Sequence, residues 1–394
     1  MVSIVNETRG SSIAEQSAVD EYYVFVTGSC SIETERLGVQ LSPVGYLTKI
    51  GKMVIKMNFF RECIENKNRK EFYWMKRKGK IKLDMTANPI QPEINWNEVI
   101  KFSTEELRKY PNNSELYELK REIARDHKID TNSIMVTTGA DDAIEIILLH
   151  LLNPKDKIGI HIPTFPRFLI VAKQLCDADV ITFKNINDIP ESKVVVLCTP
   201  NNPTTKEISR GDLIKLLEEN QNKMFVIDCV FSDFGRFDPT SMIKKFDNLI
   251  VIKSTSKIGI AGVRVGFIIS KRKNIRSLRE GISPFSVSLV NQKIAFEAIK
   301  DKEHMKKSLN FLKKEWSFIK RKMPEAERET NVPFFLVKTR QDSATVCRKL
   351  LSRGIQVANG EDFIGLGNNW IRVSIGSREE NEEFVKNFKI INCD

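Results

Sequence analysis

LIVIKSTSKIGIAGVRVG, residues 249–266, opens as a buried strand and closes as a polar, glycine-spaced turn. Leu249–Ile252 is an unbroken aliphatic run, the texture of a strand covered on both faces. Behind it come Ser254, Thr255, Ser256 and Lys257, then Gly259, Gly262, Arg264 and Gly266. A lysine amine becomes a nucleophile when desolvation or nearby positive charge lowers its pKa. Arg264 can supply that charge while gripping a phosphate together with the serine hydroxyls. A plain surface turn is the competing reading of the same residues.

The pattern repeats outward from this stretch. Ile134–Val136, Ile158–Ile162, Val194–Cys198 and Phe225–Ile227 each read as a buried strand. Helical periodicity fills the gaps, as in Ala143–Leu152 and Asp212–Glu219. Strand–helix alternation predicts an α/β fold with a mostly parallel sheet, and ligands of such sheets sit beyond the carboxyl ends of the strands. Three more strand ends carry polar residues there. Thr137-Thr138-Gly139-Ala140-Asp141 leads into a helix whose free N–H groups and dipole suit a phosphate; a capped helix start is the alternative. Thr199-Pro200-Asn201-Asn202-Pro203 fixes two asparagine amides in direction, or is simply a turn. Asp228 closes an apolar strand, which is costly without a cation or hydrogen bonds; an ordinary salt bridge would also serve. Phosphate donors, an amide, a buried acid and an activatable lysine are the parts that pyridoxal phosphate requires.

With those motifs in this order, residues from about Ile81 to Phe388 resemble the class I/II aminotransferases of the fold-type I pyridoxal-phosphate enzymes. Within that family they are nearest to histidinol-phosphate aminotransferases and threonine-phosphate decarboxylases. The resemblance implies a mostly parallel seven-stranded sheet in a large domain, residues 112–278, and a smaller α+β C-terminal domain, residues 279–394. An arm or small-domain segment, residues 81–111, precedes them, after an extension of unknown role at 1–80. It assigns Lys257 as the lysine that holds the cofactor as a Schiff base. Asp228 becomes the partner of the pyridine nitrogen. Ser254, Ser256, Arg264 and the turn Gly139, Ala140 and Asp141 become phosphate ligands. Asn202 bonds the phenolic oxygen, Phe165 stacks on the ring, and Tyr110 reaches the phosphate of a neighbouring subunit in a homodimer. Arg372, in TrpIleArgValSerIleGly, grips the substrate's α-carboxylate, for which its planar fork is suited.

Departures from the family pattern bear more on the histidinol-phosphate likeness than on the cofactor. Phe231 stands where many aminotransferases have a tyrosine, as it does in the decarboxylases. The step from Lys257 to Arg264 is one residue shorter than usual. Pro333-Phe334 replaces an asparagine–phenylalanine pair, Ala358 an arginine common in histidinol-phosphate aminotransferases, and Thr204-Thr205 a threonine–glycine. The expected activity is transamination between an amino donor and a keto acid. Decarboxylation or other α-carbon chemistry, including oxidation, is the first alternative, and a non-catalytic binding or regulatory protein on the same fold the second.

The rest of the chain adds bounds. Its 394 residues carry a net charge of +11, with much of the excess between Lys52 and Lys82. Without a nucleic-acid motif beside it, this reads as a solvated basic segment, with an anionic partner such as nucleic acid or a membrane surface as the alternative. Seven scattered cysteines, none in a CxxC pair, and four histidines without ligand spacing predict neither disulfides nor a metal site. No long apolar run or leader pattern is present, so a cytoplasmic protein with no membrane or nucleic-acid partner is expected. Tyr22–Thr27 reads as a strand, Asn58–Glu65 as a short helix, and Met305, Leu309, Leu312, Trp316, Ile319 and Met323 as the apolar face of a packed helix.

Overall fold

The computed structural model describes residues 79–111 and 113–393 and, ahead of them, the backbone of two short strands. Those strands, β1 (Val2–Val5) and β2 (Tyr23–Val26), pair antiparallel with Val2 opposite Val26. They belong to a compact unit of their own, residues 1–61, and residues 62–394 form the second unit. The strand expected at 22–27 is thus present; the helix expected at 58–65 and most of the basic segment lie outside the described residues.

The second unit is built on a seven-stranded sheet. Its strands are β4 (Ile134–Thr137), β5 (Lys157–His161), β6 (Asp179–Phe183), β7 (Val194–Cys198), β8 (Met224–Asp228), β9 (Leu249–Ser254) and β10 (Gly266–Ser270). They lie in the order β4-β10-β9-β8-β7-β5-β6, and β10 alone runs against the others. The carboxyl ends of β4, β7, β8 and β9 therefore share one edge, where the polar turns meet.

Alternation along each strand feeds two apolar layers. Val194, Val196, Ile250 and Ile252 face one, with Ile144, Ile147 and Leu148 of helix α2 (Gly139–Leu151). Val195, Leu197, Val251 and Phe225 face the other, with Leu119 and Ile123 of α1 (Asn113–His127) and Leu213 and Leu217 of α3 (Arg210–Glu219). Each fully buried aliphatic side chain here contributes about 1.5–3 kcal/mol, which explains the absence of polar residues from these runs. Beyond the aliphatic run of β9, Lys253 turns into the second layer's rim and pairs with Asp238 at 2.7 Å and Asp233 at 3.3 Å.

A smaller four-stranded sheet has the order β11 (Phe334–Lys338), β13 (Trp370–Ser374), β12 (Ile355–Asn359), β3 (Ile81–Leu83). Its residues Phe334, Phe335 and Val373 join the first apolar layer, so one core runs beneath both sheets. The long helix α6 (Lys302–Lys322), which follows α4 (Arg272–Arg279) and α5 (Leu289–Lys300), buries Leu312 and Ile319 as its periodicity predicts. Helices α7 (Ser343–Ser352) and α8 (Arg378–Cys393) complete the fold around this sheet.

Candidate active site

The strand ends meet around a cavity of about 400 Å³ lined by Thr86, Ala140, Asp141, Phe165, Asn202, Asp228, Phe231, Ser254, Ser256, Lys257, Arg264 and Arg372, among others. Eleven of the thirteen sequence-predicted site residues thus share one wall, and Gly139 lies directly behind it. Tyr110 does not: it is 81% exposed and stacks on Phe285, 5.3 Å between ring centroids.

Lys257 lies in the tight turn that follows β9. Its Nζ donates to Thr86 Oγ1 at 2.8 Å and to Thr86 O at 3.3 Å, and sits 5.0 Å above the centre of the Phe231 ring. Burial, then the nearby Arg372 guanidinium, push the amine down to about 7, against the pull of Asp228 and Asp141. Asp228 is buried at the end of β8, accepts the Val230 N–H at 3.0 Å and lies beside the Cys198 thiol. Burial raises its carboxyl to about 6. A desolvated amine and a desolvated carboxylate lining one cavity are a pairing that active sites use.

The turn expected to seat a phosphate is shaped by backbone. Gly139 has φ +84° and begins α2; a Cβ there would lie 2.7 Å from Arg264 Nη2. Gly266 is tighter, since its Cβ would fall 2.5 Å from the Gly139 carbonyl carbon. Arg264 adopts the left-handed conformation, φ +54°, and donates to Asp141 Oδ2 at 3.1 Å. Ser254 Oγ bonds Ser256 Oγ at 2.8 Å and receives the Ser256 N–H at 3.1 Å. The shortened turn leans on the segment before α1: Gly259 has φ +90°, and a Cβ on it would meet Ile90 O at 2.6 Å.

Arg372 projects from β13 and is 3% exposed. It donates to Asn202 Oδ1 at 2.6 Å and to the Asp84 carbonyl, and lies over the Phe363 and Phe334 rings. Asn201, by contrast, turns away and donates to Pro163 O at 2.8 Å. Thr205, in place of a glycine, carries φ +61°; its Oγ1 accepts the Glu329 N–H, and its carbonyl accepts Thr330 Oγ1. Ala358 is the cross-strand neighbour of Arg372.

Sequence reading overlooked the segment Asp84–Asn88. It supplies Asp84 O to Arg372, Thr86 to Lys257 Nζ, and Asn88 Nδ2 to Lys257 O at 3.1 Å. The signal available was faint: polar residues at every second position between a short apolar run and Pro89.

Residues 79–388 match the family described as aminotransferase class I and II. The chain belongs to the class I and II aminotransferase family. Like its relatives, it is a pyridoxal-phosphate-dependent aminotransferase acting on small amino donors and keto acids. Histidinol-phosphate aminotransferase from Caldicellulosiruptor saccharolyticus is 31% identical, over 78% of this chain and 91% of its own length. Two solved structures share the fold. Histidinol-phosphate aminotransferase from Sinorhizobium meliloti, in complex with pyridoxal-5'-phosphate, aligns with a TM-score of 0.74 at 16% identity, covering 80% of this chain and 91% of that one. L-threonine-O-3-phosphate decarboxylase from Porphyromonas gingivalis aligns at 0.70 and 19%, covering 80% and 100%.

The aminotransferase cavity fits its cofactor. A cationic ring nitrogen would relieve the desolvated Asp228 carboxylate, and the glycine-shaped turn, two serine hydroxyls and Arg264 form a donor set for a phosphate dianion. Among the described residues, no group of histidines, cysteines and acids could hold a metal ion, and no helix is long and apolar enough to cross a membrane.

Proposed function

We propose that this aminotransferase works on α-amino acids, with Lys257 as its proton-transferring base, Asp228 as the carboxylate facing the cofactor's ring nitrogen and Arg372 as the anchor of the substrate carboxylate. The observation that carries the substrate class is the charge of the cavity. Among the described residues, its lining cations are Lys257, Arg264 and Arg372. Lys257 is the base and Arg264 belongs to the phosphate seat, which leaves Arg372 for the substrate. A single guanidinium suits a carboxylate monoanion, and Ala358 opposite it brings no second charge for a phosphate ester.

When bound, pyridoxal phosphate supplies an electron sink for the substrate's α-carbon. Gly139, Ala140, Asp141, Ser254, Ser256 and Arg264 would hold its phosphate, Asn202 its phenolic oxygen and Phe165 a face of its ring. Arg372 fixes the substrate's carboxylate and so sets the direction of its α-proton. Lys257 Nζ, neutral above about pH 7, takes that proton and later gives it up. Phe231 packs edge-on against Phe334, and Phe363 lies against the Arg372 guanidinium, so this corner is walled by apolar rings.

The observation favouring decarboxylation instead is the Phe231 ring beneath Nζ, which offers no hydroxyl there. Purified enzyme given pyridoxal phosphate, 2-oxoglutarate and each α-amino acid in turn, with histidinol phosphate and threonine phosphate beside them, separates these readings. Keto acid from α-amino acids is expected. Turnover of histidinol phosphate alone, or carbon dioxide without keto acid, would overturn the substrate proposal.

The same reading extends to assembly and place. A homodimer is proposed, in which the exposed Tyr110–Phe285 pair meets a second copy. The cytoplasm is the proposed compartment, in keeping with Cys198, Cys229 and Cys347, which stand outside any disulfide. The proposed large domain spans residues 112–278 and the small one 279–394, with 81–111 as an arm or small-domain segment; that β3 joins the small sheet supports this division.

A further inference from the structure

Between β3 and Pro89 the chain forms a short strap, Asp84–Asn88, tied at every second residue. Asp84 O accepts from Arg372 Nη2. The Thr86 N–H donates to Ser374 Oγ at 2.9 Å, two residues beyond Arg372 on β13. Thr86 Oγ1 meets Lys257 Nζ at 2.8 Å. Asn88 Nδ2 donates to Lys257 O at 3.1 Å and to Ser308 Oγ at 3.0 Å on α6. The strap therefore joins the small sheet, which bears Arg372, to the turn that bears Lys257.

Thr86 is 3% exposed and has φ +54°. A β-branched residue in the left-handed region is unfavourable, and glycine or asparagine would sit there at lower cost. Such strain persists where the surroundings over-determine it, commonly at functional positions. What a threonine adds over glycine is the hydroxyl, and that hydroxyl lies against the one amine the reaction uses.

We infer that Thr86 is a positioning residue of this enzyme: its hydroxyl fixes Lys257 Nζ at the cavity wall and, through the strap, holds that amine in register with Arg372. The inference rests on the reading of Lys257 and Arg372 given above. The charged groups facing Nζ are Arg372 from β13, Asp228 from the end of β8, Asp141 from α2 and Arg264 from the turn after the lysine.

The test uses Thr86→Val, which keeps volume and β-branching, Thr86→Ser, which keeps the hydroxyl, and Thr86→Gly, which suits the backbone should the valine variant fold poorly. Cofactor-free protein is labelled with acetic anhydride across a pH range, and the acetylation of Lys257 is read by peptide mass spectrometry. Losing an acceptor for the protons of Nζ lowers the labelling midpoint by about one pH unit in the valine and glycine variants. In the loaded enzyme kcat falls roughly 10- to 100-fold in both, with KM for the amino donor within about threefold, and Thr86→Ser restores midpoint and kcat. Wild-type midpoints and kcat in the valine and glycine variants would overturn the inference, as would a serine variant as impaired as the valine one. Separately, Lys257→Ala with transamination intact would sink the reading of the site, whatever the labelling shows for Thr86.

Discussion

Asp228 concentrates the conflict between stability and use. Its folded-state pKa, raised from 3.8 to about 6 by burial, means the folded chain binds that proton more tightly than the unfolded one. The stability this group contributes is full below about pH 4 and is lost as pH rises through 6. Asp228→Asn should therefore stabilise the cofactor-free protein by about 3 kcal/mol at pH 7–8, with little gain at pH 4. It should also cut transamination by at least about 100-fold, because an amide cannot neutralise a cationic ring nitrogen. Thermal unfolding at the two pH values, beside a rate assay, checks both halves; an equal gain at both, or a rate near wild type, contradicts the role given to this carboxylate.

At the scale of elements, the proposed phosphate seat depends on β10 passing so close to the start of α2 that Gly266 has no room for a Cβ. Gly266→Ala would drive the Gly139–Ala140 backbone outward. It is expected to cost about 1–3 kcal/mol and to weaken cofactor binding at least about tenfold. Gly262→Ala, with open space at its Cβ, should change stability by less than about 0.5 kcal/mol. Denaturant unfolding and cofactor titration of the two variants make the comparison, and equal effects would contradict the packing argument. The same elements mark what the sequence discloses. Val194–Cys198 and Leu249–Ile252 are legible because a strand buried on both faces admits nothing polar. Gly266–Ser270 follows a glycine-rich turn so closely that it merges with it, and β3, three residues long, offers too little pattern to register. Thr86 is illegible for another reason: a residue chosen for a contact 171 positions away leaves no local signature.

At the scale of the whole molecule, one core beneath two sheets sets Arg372 on the small sheet against Lys257 on the large one. The cofactor, bound only by the folded chain, should stabilise it by about 2.7 kcal/mol at a concentration 100-fold above its Kd, raising Tm accordingly. Light scattering of the purified protein should give twice the 45.2 kDa of one chain. A Tm unmoved by the cofactor, or a monomer at working concentrations, would count against the site and the homodimer respectively.

Everything assigned to the cavity turns on the Lys257 amine carrying the cofactor. Sodium borohydride reduction of the pyridoxal-phosphate-loaded protein, followed by peptide mass spectrometry, should find a single pyridoxyl group per chain, on the peptide containing Lys257. An unmodified Lys257, or the adduct on another lysine, would contradict it.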